Sequence, residues 1–432
     1  MHLAAFLIAG NTAHSQALWR HPQSDRGGFL RLPYYLQIAR TLERGFFDLL
    51  FFADRLAVST RYGGSPALGL ELGDQDATRL DPLPLLGALA TGTSHIGLGA
   101  TRSTTYSQPY SLAREFATLD HLSAGRAAWN VVTSVNGGEA ANFGLARTLD
   151  HDTRYDRADE FIDIALGLWN GWEPDALLLQ AEGRYADAAR VHALQHEGPY
   201  FKVAGPLNIP ASPQRGPVII QAGSSDRGQD FAARRAEVVF GIQPDLPHMQ
   251  RFYADLKGRT AKFGRTPEDV KVLTAVMPFV AATRSEAQDL QAAHIAAADP
   301  QVGLSTLSSH MDTDFSGFDP DAPLGDVQVA GIQGLFRLVL ELSAERQLSL
   351  RDVGRLYAQG ILVPQVAGTP ADVADWLQHV VEKRGADGFV VTPVHLPHGF
   401  DAFVDDVVPL LQARGLLRTR YEGRTLRENL RP

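Results

Sequence analysis

Two segments carry side chains suited to holding a phosphoryl group. Val218-Ile219-Ile220-Gln221-Ala222-Gly223-Ser224-Ser225-Asp226-Arg227 reads as a buried strand running into a helix start. Gly223 lets the backbone approach a ligand closely. Ser224 and Ser225 offer hydroxyls and free amides at the positive end of a helix, where an anion is stabilised. Asp226 opposes that use and Arg227 offsets it; the same residues also describe a plain serine N-cap. His151 and Tyr155, four residues apart, share one face of a helix, where an imidazole and a phenol could grip the same phosphate; a surface His beside a packed Tyr is the alternative. A third set follows apolar runs: Asp54 after Leu50-Phe51-Phe52-Ala53, Thr101 and Ser103 after Gly97-Leu98-Gly99-Ala100, and Asn130 and Ser134 around Val131-Val132. These offer carboxylate, hydroxyl and amide contacts but no strong nucleophile, which suits holding a heterocycle; singly, each also reads as a turn or cap residue. His14, Tyr62 and His310 are isolated titratable groups in predicted loops or insertions.

Composition narrows the chemistry. The 432 residues contain no Cys, which excludes disulfides, thiolate nucleophiles, iron–sulfur clusters and Cys-ligated zinc. No set of His and carboxylates has a metal-ligand spacing. There is no Gly-x-Gly-x-x-Gly opening a helix after a strand, no Walker loop, no His-Glu-x-x-His and no Gly-x-Ser-x-Gly elbow. Any redox chemistry then falls to a cofactor. With 40 Lys and Arg against 49 Asp and Glu, the formal charge is −9, which argues against a nucleic-acid or acidic-membrane binder. Hydrophobic residues at 44% and charged residues at 21% are an ordinary globular balance. The N-terminal apolar run lacks a preceding Lys or Arg and reads as a strand rather than a signal. The uncharged stretch 82–101, broken by Pro, Gly and His, reads as helix, turn and strand rather than a span. A cytoplasmic protein is expected.

These residues need a frame that brings strand ends together. The apolar runs predict strands over 3–9, 47–53, 96–101, 127–133, 218–222, 238–242, 272–280 and 388–391. Amphipathic spacing predicts helices over 33–44, 83–90, 111–122, 156–169, 228–235, 249–263 and 400–412. Eight strands separated by helices is the period of a closed parallel α/β barrel, although an open doubly wound sheet gives the same alternation. In a barrel the carboxyl ends of the strands converge on one mouth. Two connections are long, and the chain reads as one barrel domain over 1–432 with insertions at about 135–215 and 282–386. Trp19, Phe51, Phe52, Tyr106, Trp129 and Phe143 fall near predicted mouth segments; each would line the mouth or pack the core.

An ordered set of motifs runs along nearly the whole chain. It comprises Gly45-Phe46-Phe47-Asp48, Phe51-Phe52-Ala53-Asp54, Leu112-Ala113-Arg114-Glu115-Phe116-Ala117-Thr118-Leu119-Asp120-His121-Leu122-Ser123-Ala124-Gly125-Arg126, Trp129-Asn130-Val131-Val132-Thr133-Ser134, the stretch 151–161, Ala222-Gly223-Ser224-Ser225, and Val408-Pro409-Leu410-Leu411-Gln412-Ala413-Arg414-Gly415. Together these resemble the nitrilotriacetate, dibenzothiophene-sulfone and pristinamycin monooxygenases, a branch of the bacterial luciferase-like flavin enzymes. The resemblance implies a luciferase-like (β/α)8 TIM barrel with long insertions, in a two-component system. A separate NAD(P)H:flavin reductase would supply reduced FMN (FMNH2). The chain would combine it with O2 and use a flavin peroxide to oxygenate a small organic substrate.

The resemblance also places the site. FMN contacts would fall on Asp54, Thr101, Ser103, Asn130 and Ser134, with His151, Tyr155, Ser224 and Ser225 on the phosphate and Gly223 beside it. His14 is implied as an active-site histidine, positioning substrate or acting as general acid, with Tyr62 and His310 as further catalytic candidates. No metal is implied, and a homodimer or homotetramer is. Val276 and Ala281 stand where members often carry Gly, and the stretch 310–315 departs from the family pattern, so the substrate does not carry over. The alternatives are a deazaflavin-dependent hydride-transfer oxidoreductase on the same fold, or a non-enzymatic flavin-binding protein.

Overall fold

The computed structural model describes residues 1–325 and 327–431. The eight apolar runs form β1 (His2–Ile8), β2 (Leu49–Ala53), β3 (Gly97–Ser103), β4 (Ala127–Val132), β5 (Val218–Gln221), β6 (Val238–Gly241), β7 (Lys271–Val280) and β8 (Gly388–Val391). Each pairs in parallel with the next. β8 also pairs with β1, Leu3 opposite Phe389 and Ala5 opposite Val391, so the sheet closes and the open-sheet alternative falls.

Period-two alternation within the strands sorts inside from outside. Leu3, Ala5 and Leu7 of β1, Leu50 and Phe52 of β2, and Ala127, Trp129 and Val131 of β4 pack outward against helices. Ala4, Leu49, Phe51, Ala128, Ile220 and Phe240 fill the interior. Phe52 and Trp129 are therefore core residues rather than mouth lining: Trp129 meets Phe116, Phe161 and Trp169. Phe51 and Asn130 alternate inward on the same strands.

The outer layer begins with α1 (Leu32–Arg44), α2 (Pro82–Ala90), α3 (Pro109–Leu122), α4 (His151–Trp169), α5 (Asp226–Arg235) and α6 (Leu246–Arg259). Start signals are local. Asp81, Asp150, Ser225 and Asp245 cap α2, α4, α5 and α6 with side-chain oxygens. Because Asp150 accepts from the Thr153 N–H, α4 begins at His151, ahead of the apolar face that marks it in the sequence. His151 and Tyr155 consequently sit in its first turns. The expected helix over 249–263 ends at Arg259 and tightens into a 3-10 turn over Thr260–Phe263.

The connection from β7 to β8 holds α7 (Arg284–Ala297), α8 (Pro300–Met311), α9 (Gln333–Arg346), α10 (Leu350–Gly360), a short strand (Gln365–Gly368) and α11 (Pro370–Glu382). The short strand pairs with the far half of β7, Gln365 opposite Met277 and Gly368 opposite Val280. Helix α7 packs on β7 and the short strand, and helices α8 to α10 form a lid with its own apolar cluster, Leu307, Met311, Phe336, Leu342, Val353 and Tyr357 among it. Polar contacts fasten the lid to the barrel rim. Ser305 Oγ donates to Asp74 at 2.9 Å and Ser309 Oγ to Asp76 at 2.6 Å, and Arg61 pairs with Asp312. Among the described residues no helix is long and apolar enough to cross a membrane.

Helices α8 and α10 cross backbone to backbone. A Cβ on Gly303 would stand 1.7 Å from the Gly354 carbonyl oxygen, a clash with backbone that no rotamer relieves. Gly303→Ala is expected to cost roughly 1–3 kcal/mol of stability, read as a lowered thermal midpoint. Gly258→Ala in α6, where a Cβ meets nothing within 4 Å, is expected to be neutral or stabilising.

Candidate active site

A cavity of about 750 Å³ opens at the carboxyl end of the barrel, beneath the lid. The interior strand positions floor it with Phe6, Phe51 and Phe240. Phe51 stands edge-on to Phe240 at 5.0 Å, and Phe6 lies 5.8 Å from Phe51. His14, in the loop after β1, stacks on Phe6 at 3.7 Å. His310, at the end of α8, reaches the same cavity from the lid and meets Tyr357 edge-on. Each histidine has a buried Nδ1 without a partner in the protein. Burial lowers both imidazoles to a pKa of about 3, so both are neutral across the physiological range. His14 is therefore not a standing acid: it offers a neutral ring nitrogen.

The strand-end candidates fall on two adjoining cavities. Asp54 borders both; Asn130 and Ser224 line the larger, and Thr101, Ser103 and Ser134 a neighbouring one of about 340 Å³. Thr101 Oγ1 donates to the Phe52 carbonyl at 3.1 Å and accepts from Asn130 Nδ2 at 3.0 Å. That leaves Asn130 Oδ1 buried and without a partner. Ser134, in the left-handed region at φ 50°, donates its hydroxyl to Ser103 Oγ at 3.0 Å. Burial pushes the Asp54 carboxyl up to about 6, against the pull of Arg79 and Arg102. Arg102 Nη1 lies 3.5 Å from it. Tyr106 stacks on Phe143 at 4.7 Å beside the smaller cavity.

The phosphate candidates meet at the N-terminus of α5. Ser225 Oγ accepts from the Gly228 N–H at 3.1 Å, and His151 Nε2 lies 3.3 Å from the same oxygen. His151 Nδ1 lies 2.9 Å from Asp152, which can accept its N–H and orient the ring so that Nε2 faces the Ser225 hydroxyl. The Tyr155 hydroxyl packs into the turn before α5. A Cβ on Gly223 would lie 3.0 Å from it and one on Gly228 2.7 Å, so these glycines make room for the phenol. Arg227 turns away to Asp156 at 3.0 Å and Asp159 at 2.8 Å, and Asp226 is held by Arg259 at 2.8 Å. The expected offset of Asp226 by Arg227 is thus replaced by separate pairings for each. Ser224 abuts Gly334 at the start of α9.

Tyr62 stands apart, in a 3-10 turn at Tyr62–Gly64 packed against the lid cluster and outside the cavity lining. Trp19 packs against Gly73, where a Cβ would meet its ring nitrogen at 2.7 Å. Sequence reasoning passed over Arg55, Gln75, Asp76 and Arg79. Arg55, Gln75 and Arg79 line the large cavity, and Asp76 binds both arginines at 3.0 Å from behind. The available signal was Arg55 directly after Asp54, and five polar residues in Asp74-Gln75-Asp76-Ala77-Thr78-Arg79, in the connection that follows a predicted strand.

The luciferase-like monooxygenase family matches residues 8–388. Over its whole length the chain is 46% identical to the dibenzothiophene-sulfone monooxygenase of Rhodococcus erythropolis (strain XP), covering 96% of that protein. It is 42% identical to nitrilotriacetate monooxygenase component A of Aminobacter aminovorans, over 95% of this chain and 92% of that one. A riboflavin lyase solved with a modified FMN and riboflavin shares the fold at a TM-score of 0.91 and 35% identity, over 100% of this chain and 95% of that one. These full-length likenesses to oxygenases set aside the hydride-transfer and non-enzymatic alternatives. The chain belongs to the luciferase-like family of flavin-dependent monooxygenases, and it is a monooxygenase.

Proposed function

We propose that the site binds FMN in its reduced form, FMNH2, delivered by a separate NAD(P)H:flavin reductase, and oxygenates a small organic substrate with O2. The observation that carries this reading is the convergence of His151, Tyr155 and Ser225 on the first turn of α5, beside the cavity. The residues present fit the cofactor. Helix α5 offers N–H groups without intrahelical partners and the Ser225 hydroxyl, and α4 brings the Tyr155 phenol and the His151 imidazole to the same place for the phosphate. Asn130 Oδ1 is an orphaned buried acceptor in the cavity wall. Relatives named as one component of a monooxygenase, or solved with a modified FMN, support the same reading.

Bound reduced flavin supplies the two electrons that let one atom of O2 enter the substrate while the other leaves as water. The chain's own residues control the surroundings. Tyr155, Ser225, Ser224 and His151 hold the phosphate, with Gly223 giving it backbone room. Asp54, Thr101, Ser103, Asn130 and Ser134 orient the rest of the cofactor along the strand ends. Phe6, Phe51 and Phe240 keep water from the floor of the cavity. His14 and His310, as neutral imidazoles, hold a substrate by hydrogen bonds rather than by charge.

Tyr155→Phe and Ser225→Ala are each expected to weaken FMN binding by roughly 1.5–3 kcal/mol while leaving the fold intact, since each removes a hydrogen bond to a charged group. Equilibrium titration with FMN and circular dichroism check this, and unchanged affinity in both variants refutes the phosphate assignment. Oxygenated product should form only when the reductase, NAD(P)H, FMN and O2 are all present.

The two buried histidines also shape acid stability. Their folded pKa of about 3 lies below the ordinary 6.5, so the unfolded chain binds more protons between those values. The stability from keeping them neutral is complete above pH 6.5 and lost as the pH falls towards 3. The double variant His14→Gln, His310→Gln should show a shallower acid limb of stability against pH. Urea midpoints across that range test it, and an unchanged slope counts against the burial assignment.

A further inference from the structure

We propose that the cavity receives an uncharged, ring-bearing substrate, and that Asp76 sets this preference by cancelling the two arginines in the inner cavity wall. The inference rests on the oxygenase reading of the same cavity and adds the class of molecule it takes. Arg55 and Arg79 reach the lining, where a free guanidinium would recruit a carboxylate or sulfonate. Neither is free. Asp76, itself buried, accepts from Arg55 Nη1 at 3.0 Å through one oxygen and from Arg79 Nη2 at 3.0 Å through the other. Asp54 stands in the field of Arg79, and Glu139 in that of Arg55. Arg102 also lies 3.5 Å from Asp54, so three guanidiniums face Asp76, Asp54 and Glu139 and neither lining arginine is left without a countercharge. At the outer end of the cavity Arg251 and Arg337 share the rim with Asp255, Glu341 and Glu345. Cationic residues in the lining are thus matched or outnumbered by carboxylates at both ends, and an anionic substrate would be desolvated without a countercharge.

The remaining surface suits a neutral ring. Phe6, Phe51 and Phe240 present a tilted aromatic floor, with the His14 ring stacked on Phe6. The unpartnered Nδ1 atoms of His14 and His310 are buried in two residues that line the cavity, one from the barrel and one from the lid. Neutral imidazoles bind neutral polar atoms without asking for a charge.

Asp76 acts through the arginines and is a specificity-determining positioning residue. The test is calorimetric titration of the full-length protein, with and without saturating FMN, using a naphthyl carboxamide and the naphthyl carboxylate of the same skeleton. The wild-type protein is expected to favour the carboxamide by about tenfold or more, equivalent to about 1.4 kcal/mol. Asp76→Asn should narrow or reverse that ratio, whereas a variant that only loosened the fold would weaken both probes alike. A wild-type preference for the carboxylate, equal affinities, or binding of neither probe overturns the proposal without need of the variant. FMN titration in the same series separates the two readings. A carboxamide preference in a protein that binds neither FMN nor, under anaerobic conditions, FMNH2 removes the flavin assignment alone; flavin binding with a carboxylate preference removes this one alone.

Discussion

A buried carboxylate holds the architecture of the site together. Asp76 gathers Arg55 and Arg79 from the barrel rim and the Ser309 hydroxyl from the lid, a partner 233 residues away in the chain. A buried charge is tolerable only when each of its lone pairs is used, and here both oxygens are engaged. Against the penalty of burial, the guanidiniums that face it hold its carboxyl at about 2, below the usual carboxylate range. Ser305 on Asp74 repeats the contact one helical turn earlier on α8. The two contacts fix the rotation of α8 about its axis, and that rotation decides that His310 looks into the cavity rather than into the lid's own core.

Burial then sets the protonation of Asp54, His14 and His310 above the barrel floor. The same loss of water that raises Asp54 lowers His14 and His310, because in each case the charged form is the one penalised. The outcome is an inner chamber whose titratable groups, His14, His310, Asp54, Arg55 and Arg79, are neutral or paired. Oxygen chemistry on a reduced cofactor needs such a chamber, since free water and mobile protons divert it. The proposed phosphate end is built differently. His151 and Ser225, both half-buried, share a hydrogen bond at a helix terminus, with the buried Tyr155 packed beside them.

The barrel was legible because its strands are buried on both faces: runs such as Leu49-Leu50-Phe51-Phe52 and Val218-Ile219-Ile220 have no other comfortable home. Which face each residue took was harder to read. Phe51 and Phe52 look alike in sequence, yet one floors the cavity and the other packs under α1, because register rather than composition assigns them. Asp54, Asn130 and the Ser224-Ser225 pair were readable as strand-end residues. Arg55, Asp76 and Arg79 were not, since their meaning lies in contacts with each other and with Ser309 far along the chain. The lid helices were obscured for the same reason. Ser305, Ser308, Ser309 and Gly303 on α8 give little hydropathic pattern, and they are small and polar because the helix is pressed against α10 and the rim.

The ten-residue strand β7 serves two structures at once, its first half closing the cylinder and its second half pairing with Gln365–Gly368 as the lid chain returns. Departure and return along a single strand make the intervening helices a cassette, anchored at both ends by backbone hydrogen bonds that take no account of side chains. Ancestral exchange of such a cassette would redraw the ceiling over the cavity while leaving the floor, the His151–Ser225 cluster and the entire hydrogen-bonded hoop untouched. Diversification within this lineage has a ready seam at which to cut.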